Sequence, residues 1–147
     1  MKLEITVPEV VEIFNEVQQR PEKLFEMIRC DIQETVGQYL SSMMSAELTH
    51  FLGREPYERS SGASNHRNGS YSRYFTLKGI GGVKVEVPRD RNGEFKTQVI
   101  PKSKQYEEEI ARDLSLMFLA GISTRSLSMM SSRLIGRKIS PTEISTT

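Results

Sequence analysis

Cysteine and histidine are scarce in this 147-residue sequence, which holds a single cysteine, Cys30, and two histidines, His50 and His66. One cysteine excludes an internal disulfide framework. The same scarcity argues against a structural zinc site, because such a site needs four Cys or His ligands. We therefore expect no disulfide scaffold, no metal site and no cofactor within this chain.

Long apolar runs and a signal segment are also missing. No stretch is apolar over the length that a membrane-spanning helix needs. Residues 1–9 lack the basic segment and apolar core of a secretion signal. We expect a cytoplasmic chain that does not enter a membrane, forming one ordinary domain or two small ones that share a core.

The net charge of +1 conceals a strong segregation of charge along the chain. Residues 1–50 carry a balance of −5, residues 51–104 carry +6, and residues 105–147 are neutral. A basic segment beside an acidic one suggests a polyanion as partner. A solvated surface that is merely rich in lysine and arginine explains the charge equally well.

Apolar residues recur at helical spacing in the acidic segment. They predict a short helix over residues 8–19 and a long one from Pro21 to Leu52, with Gly53 as its C-cap. A helix of roughly 48 Å is longer than a small domain needs to cover itself. Either Gly37 breaks it, or part of its apolar stripe packs on another chain or on a further domain.

The basic segment reads as a loop at residues 54–70 followed by a β-hairpin. Strand-forming residues at 71–77 and alternating valines at 83, 85 and 87 flank a glycine-rich link at 79–82. Residues 95–100 are expected to add a third short strand. The solvent face of this unit is expected to carry Arg73, Lys84, Arg89 and Arg91.

Helical patterns return after Pro101. Apolar positions 106, 110, 114, 117, 118 and 119 predict one buried helix face, and positions 127, 130, 134 and 135 predict a second. Ser140 and Glu143 form a capping box around a proline at the first helical position. Tandem short helices joined by glycine-containing turns suggest a helix-turn-helix, whose last helix enters the major groove of DNA.

These elements predict an α+β fold in three regions. They are an acidic amphipathic helical region at 1–53, a basic β-hairpin region at 54–102 and a helix-turn-helix-like region at 103–147. Only four residues follow the capping box. We therefore expect that the chain begins its last helix without completing it, because so short a helix gains few hydrogen bonds.

Three local motifs could contact DNA, and each also has a simpler explanation. The polar residues at 65–73 suit phosphates and base edges, or form a turn leading into a strand. Arg89 and Arg91 beside Asp90 could form a weak surface ion pair or a phosphate clamp that the aspartate orients. The third motif could also contact DNA, but any three-helix bundle needs the same helix caps. It consists of residues 121–125, Arg133, Arg137, Lys138 and the capping box.

Taken in order, the motifs resemble those of Mutator-type transposases of bacterial insertion sequences. They are Arg67-Asn68-Gly69 followed by an aromatic residue and an arginine, PRDR-x-GEF at 88–95, and GISTRSLS at 121–128. The acidic front is similar too, though less specifically. The resemblance implies recognition of terminal inverted repeats by a hairpin set and a recognition-end set: Arg67, Asn68, Arg73, Lys84, Arg89 and Arg91, and Arg125, Arg137, Lys138 and Thr142.

In that family this region precedes an RNase H-like domain whose carboxylate triad binds two divalent ions, Mg or Mn. No residue here matches the triad, because Asp31, Asp90 and Asp113 lie in the helical and hairpin segments. We expect a chain that binds DNA, has no catalytic residues and cannot cut DNA alone. Rival hypotheses are a module that dimerises through the Leu24–Leu52 helix or docks on a full-length transposase as an inhibitor, and a remnant without function.

Overall fold

A computed structural model describes residues 10–58, 62 and 64–145. The two strands form one antiparallel hairpin, and the predicted α+β class is confirmed. None of the described helices is both long enough and apolar enough to cross a membrane. The elements are α1 (Val10–Gln19), a 3-10 turn (Pro21–Lys23), α2 (Leu24–Leu52), β1 (Arg67–Leu77), β2 (Gly81–Asp90), α3 (Glu108–Leu119), α4 (Thr124–Leu134) and α5 (Pro141–Ser145).

Helix α2 runs unbroken through Gly37, and this glycine lets the helix lie directly on β2. Gly37 is buried, and a Cβ at this position would overlap the carbonyl oxygen of Lys84. One turn later, the Ser41 hydroxyl accepts a hydrogen bond from the Glu86 amide at 2.9 Å. It also donates to the Gly37 carbonyl at 2.6 Å. Gly53 ends the helix in the left-handed conformation, as predicted.

This contact protects an edge of the hairpin. An edge strand exposes unpaired amides and carbonyls, which invite pairing with another chain. Because positions 33, 37 and 41 lie on one face of a helix, they meet β2 along a single line. Gln33 extends that line to the hairpin turn, where its side-chain amide donates to the Ile80 carbonyl at 2.8 Å.

The first hydrophobic core lies between α2 and one face of the hairpin. Strand alternation turns Val83, Val85 and Val87 toward the helix, where they are buried with Met44. The predicted acidic helical region and hairpin region thus share one core. The buried members are Met44, Phe75, Val83, Val85, Val87 and Ile100.

The predicted third strand at residues 95–100 is wrong, because side chains of other elements bind the backbone that a strand would have used. The Glu47 carboxylate accepts from the Gln98 amide at 3.0 Å and also from the Thr97 hydroxyl. The Arg73 guanidinium donates to the carbonyls of three residues at 3.0 Å each: Ile100, Pro101 and Lys102. The segment therefore crosses the hairpin as an irregular coil with a bend at residues 98–100.

The first strand begins earlier than the sequence predicts. The expected loop reached residue 70, but β1 starts at Arg67, which pairs with Asp90. The register shifts between Arg67 and Ser70, and Gly69 between them has a φ of 68°. A bulge at a left-handed glycine lets pairing continue past an irregular point, which the alternation of residue types does not reveal.

The second core joins the three C-terminal helices. Its buried residues are Ile110, Leu114, Leu127, Ile139 and Ile144. The buried Ser131 hydroxyl accepts from the Ile139 amide at 2.9 Å, which holds the connection after α4 against that helix. The predicted cap of α5 is confirmed, because the Ser140 hydroxyl accepts from the Glu143 amide at 3.1 Å.

Part of the predicted buried face of α3 and α4 is wrong. Phe118 is 47% exposed and Leu119 is 80% exposed, and Met130 is exposed on α4. The packed stripe of α3 is Ile110, Leu114 and Met117. That stripe follows the i, i+4, i+7 spacing of one helix face, so the next two residues turn away from it.

The two cores are tied together along the free edge of β1. Thr76 donates its amide to the Gln105 carbonyl at 3.0 Å and accepts from the Glu107 amide at 2.9 Å. Beside it, the Lys78 ammonium lies 2.9 Å from the Asp113 carboxylate and 3.4 Å from Glu109. Backbone pairing and an exposed charge cluster therefore join the hairpin to α3.

Replacing Gly37 with alanine should destabilise the protein. Alanine favours an isolated helix over glycine by about 1 kcal/mol. Here its methyl group would collide with the Lys84 carbonyl, and overpacking of this kind costs about 1–3 kcal/mol. We expect urea denaturation to show a lower free energy of unfolding. Gly82→Ala is the control, because its φ is not positive and no atom lies within 4 Å of its Cβ. A Gly37→Ala variant as stable as the parent would contradict this seating of α2.

Candidate nucleic-acid interface

A concave surface opens on the face of the hairpin that carries the valines, at the end away from the hairpin turn. We call it the basic groove, and its volume is about 710 Å³. Its deeper lining is apolar, with Val87 buried and its neighbours half-buried. Three exposed cations also line it, together with the buried Asp90 and the small or polar residues Gly93, Thr97 and Ser103. The apolar residues are Tyr71, Val87, Pro88, Phe95 and Pro101, and the cations are Arg89, Lys96 and Lys102.

The three cations are not neutralised by ion pairs within the described residues. No carboxylate among the described residues lies within ion-pair distance of Arg89, Lys96 or Lys102. Arg89 instead stands over the Tyr71 ring, 5.8 Å from its centroid. Strand alternation explains the position, since residue 89 continues the face of Val83, Val85 and Val87. Such a surface suits an anionic ligand with a flat or apolar part.

A hydrogen-bonded turn fixes the end of β2 that carries Arg89. Asp90 is 5% exposed, and its carboxylate accepts from the Asn65 side chain at 2.7 Å and from the amides of Glu94 and Phe95 at 2.9 and 3.2 Å. The Asn65 hydrogen bond, with those two amides, holds the pKa of Asp90 below its ordinary value of 3.8. Asn65 is tied down in turn, because its side-chain oxygen accepts from the amides of His66 and Asn92.

Both hypotheses for Arg89, Asp90 and Arg91 assumed that Asp90 binds the arginines, and this assumption is wrong. Contact of the two arginines with phosphate stays a prediction. Among the described residues, Asp90 forms no ion pair with either arginine and orients neither guanidinium. It binds backbone amides and Asn65 instead. Its role is to shape the turn that follows Arg89 and contains Arg91, because a carboxylate that accepts several amides stabilises a tight turn.

The prediction that Arg73, Lys84, Arg89 and Arg91 lie on one solvent face of the hairpin is wrong. Arg73 and Arg89 lie on the valine face, whereas Lys84 lies on the opposite face beside Tyr74 and α2. Arg73 is half-buried and is committed to three backbone carbonyls. Arg91 is exposed in the turn that follows β2. The three arginines and one lysine that were expected on one solvent face therefore do not share a surface.

Two other predicted contacts lie at the start of β1. The Arg67 guanidinium donates to the Thr49 hydroxyl at 2.8 Å and to the Arg54 carbonyl at 3.1 Å, so it fastens the hairpin to the end of α2. Asn68 is exposed. Contact of either residue with DNA stays a prediction.

Of the predicted recognition-end set, three residues are exposed and Arg137 contacts other side chains of the protein. Arg125 is exposed in the first turn of α4, whose N-cap Ser123 accepts from the Ser126 amide. Lys138 and Thr142 are also exposed. Arg137 lies 3.3 Å from the Glu143 carboxylate and 6.0 Å from the centroid of the Tyr106 ring, so it helps to hold α5 in place.

Sequence reasoning missed Lys96 and Lys102. Lys96 lies within the predicted third strand at residues 95–100 and Lys102 lies just beyond it, and alternation along such a strand gives no reason to place them beside Arg89. Only the coil across the hairpin brings them to the basic groove. Their signal in the sequence is the basic balance of residues 51–104.

Fold and surface together define an α+β protein with a basic groove beside three short C-terminal helices. The chain belongs to the Mutator family of transposases, because the sequence model of that family matches residues 9–147. The resemblance drawn from the motif order is thereby confirmed.

Curated relatives agree with this family. The chain is 36% identical to the transposase for insertion sequence element IS905 of Lactococcus lactis subsp. lactis, over 72% of this chain and 27% of the relative. It is 31% identical to that for IS1201 of Lactobacillus helveticus, over 84% and 32%. For IS256 in transposon Tn4001 of Staphylococcus aureus, the identity is 26% over 86% and 33%. The chain thus spans about a third or less of the length of these relatives.

Asp90→Ala should destabilise the protein near neutral pH, and the effect should fade in acid. A carboxylate whose pKa is depressed by folding stabilises the folded state above its ordinary pKa, and this contribution is lost as the pH falls through the lowered value. We expect a lower Tm than the parent at about pH 7 and a shrinking difference below about pH 3.8. Asp31→Ala, at an exposed position of α2, is the control. An Asp90→Ala deficit that persists unchanged in acid would contradict this role for the charged carboxylate.

Proposed function

We propose that this chain supplies DNA binding to a Mutator-family transposase and holds the terminal inverted repeats of its element. The observation that carries the proposal is the basic groove, where Arg89, Lys96 and Lys102 share one surface without a carboxylate partner among the described residues. Unpaired cations gain most from phosphates, because binding releases the counterions condensed on DNA. The relatives are transposases for insertion sequence elements, which supports a DNA partner.

The C-terminal helices would supply sequence recognition beside this electrostatic contact. The last helix of a helix-turn-helix contacts base edges through its N-terminal residues, and Thr142 lies in the first turn of α5. Arg125 projects from the first turn of α4. Lys138 is exposed in the connection to α5 and is free to meet a phosphate. Arg137 has a weaker claim, because Glu143 already holds it.

Strand cleavage by such transposases depends on divalent metal ions held by carboxylates. The residues described here do not fit such ions, because no three Asp, Glu, His or Cys side chains among them come together as a metal site. We therefore propose DNA binding, and not cleavage, for the residues described.

DNA binding should weaken steeply with salt, and the groove lysines should set part of that dependence. We expect Lys96→Gln and Lys102→Gln each to lower the slope of log K against log salt by about 0.9, because each removes one phosphate contact. The measurement is binding of the whole chain to an inverted-repeat duplex by fluorescence anisotropy over a salt series.

The matched control is Lys23→Gln, since Lys23 is exposed in the 3-10 turn of the acidic segment. It should leave the slope unchanged. A flat salt response of the parent, or the same loss of slope in Lys23→Gln, would refute the groove as the DNA contact.

We propose self-association as a second function, on the evidence of the N-terminal half of α2. Phe25 is 74% exposed, and Ile28 and Ile32 are also exposed, at the i, i+3, i+7 spacing of one helix face. Phe14 on α1 adds a further exposed aromatic ring. A contiguous apolar stripe marks an interaction site, and a second copy of the chain would bury the same stripe from both sides.

A Phe25→Ser, Ile28→Ser double variant should weaken self-association by about tenfold or more, as loss of a buried interface anchor does. Sedimentation equilibrium would measure the dimer constant. Higher salt should favour the dimer, because it screens repulsion between two acidic segments, and this is opposite to its effect on DNA binding. Leu116→Ser on α3, 65% exposed, is the control. A parent that stays monomeric at high concentration and high salt would exclude this function.

A further inference from the structure

We propose that the basic groove holds an unpaired nucleotide of a DNA strand, with its base stacked on Arg89. The inference rests on the proposed DNA binding and specifies the form of DNA that the groove accepts. It predicts that DNA ends carrying a single-stranded extension bind more tightly than fully paired ends.

The shape of the groove is the first reason. Its volume of about 710 Å³ falls in the range of small-molecule pockets, which span about 300–1,000 Å³. A paired duplex is far wider than such a concavity and could meet only the exposed cations with its phosphates. The apolar part of the lining, including Val87, Pro88 and Phe95, would then stay uncovered. An unpaired base is flat, small and largely apolar on its faces, so it can cover that lining.

The arrangement of Arg89 is the second reason. Its guanidinium stands over the Tyr71 ring, 5.8 Å from the centroid. The planar guanidinium group serves as a stacking platform for splayed-out bases, as aromatic rings do. With Tyr71 beneath it, Arg89 is supported on one side and exposed on the other. A base can therefore lie against the exposed side of the Arg89 guanidinium without a rearrangement of the hairpin.

The placement of charge is the third reason. Lys96 and Lys102 line the same groove as Arg89, and neither has a carboxylate partner among the described residues. Grooves that hold single strands combine cations that follow the backbone with flat side chains that stack on the bases. The Asp90 turn fixes the spacing between the stacking group and the residues that follow it, because the Glu94 and Phe95 amides are both bonded to that carboxylate.

The test compares three DNAs in binding to the whole chain. They are one inverted-repeat duplex with a blunt end, the same duplex with a three-nucleotide single-stranded extension, and the same duplex with an abasic extension of equal length. We expect the extension with bases to bind about 5- to 100-fold more tightly than the blunt duplex, the range that base stacking provides. The abasic extension should fall back nearly to the blunt duplex, because it adds phosphates alone.

Two variants at one position separate stacking from charge. Arg89→Lys keeps the positive charge and loses the plane, so it should abolish the preference for bases while keeping the salt slope on blunt duplex. Arg89→Gln should lower the salt slope as well. Quenching of 2-aminopurine placed in the extension reports stacking directly and should be lost in both variants. Arg29→Gln, at an exposed position of α2, is the matched control.

Each outcome decides one of the two proposals. Equal binding of the base-bearing and abasic extensions, or a preference that survives Arg89→Lys, overturns the unpaired nucleotide while the salt-dependent binding of blunt duplex still stands. If the parent chain shows no salt-dependent binding to any of the three DNAs, the DNA-binding function itself is overturned. Arg89 is exposed, so the Arg89→Lys variant should fold, and its thermal unfolding provides the check.

Discussion

The close approach of α2 to the outer edge of β2 is the contact on which the rest of the structure depends. Gly37 lets the helix touch the Lys84 carbonyl, and Ser41 binds the Glu86 amide one turn later. A two-stranded hairpin is marginal by itself, so it needs a helix against it for stability. Covering the β2 edge with a helix also blocks pairing with another chain. Stability and protection of the edge thus come from the same few residues.

The basic groove follows from this seating. Once the valine face of the hairpin is buried under α2, strand alternation carries Arg89 onto that face beyond the core. The Asp90 carboxylate then accepts from the Glu94 and Phe95 amides, which holds the turn after β2 as the chain returns across the hairpin. Glu47 and Arg73 hold the returning segment by its backbone, which places Lys96 and Lys102 beside Arg89. Residues far apart in sequence therefore share one surface because side chains, and not a third strand, bind the coil.

The two hydrophobic cores support different parts of the surface, but they remain connected. The hairpin core carries the groove, and the C-terminal core carries three short helices. Thr76 and Lys78 join them through a backbone bridge and an exposed charge cluster. Exposed ion pairs contribute little energy, so the backbone bridge is the more important of these two links. The N-terminal half of α2 lies beyond the first core and is left with an apolar stripe of its own.

The sequence by itself determined the helices, the hairpin, the Gly53 and Ser140 caps and the Mutator resemblance, because these depend on local periodicity, on capping chemistry and on motif order. It also located the basic segment. It could not show that Arg67 and Arg73 are tied to internal oxygens, that Asp90 serves the turn, or that residues 95–100 form a coil. Those outcomes depend on hydrogen bonds between side chains and backbone groups that are distant in sequence. The periodicity of residue types carries no information about such long-range contacts. Only the tertiary structure therefore decided which cations share the groove.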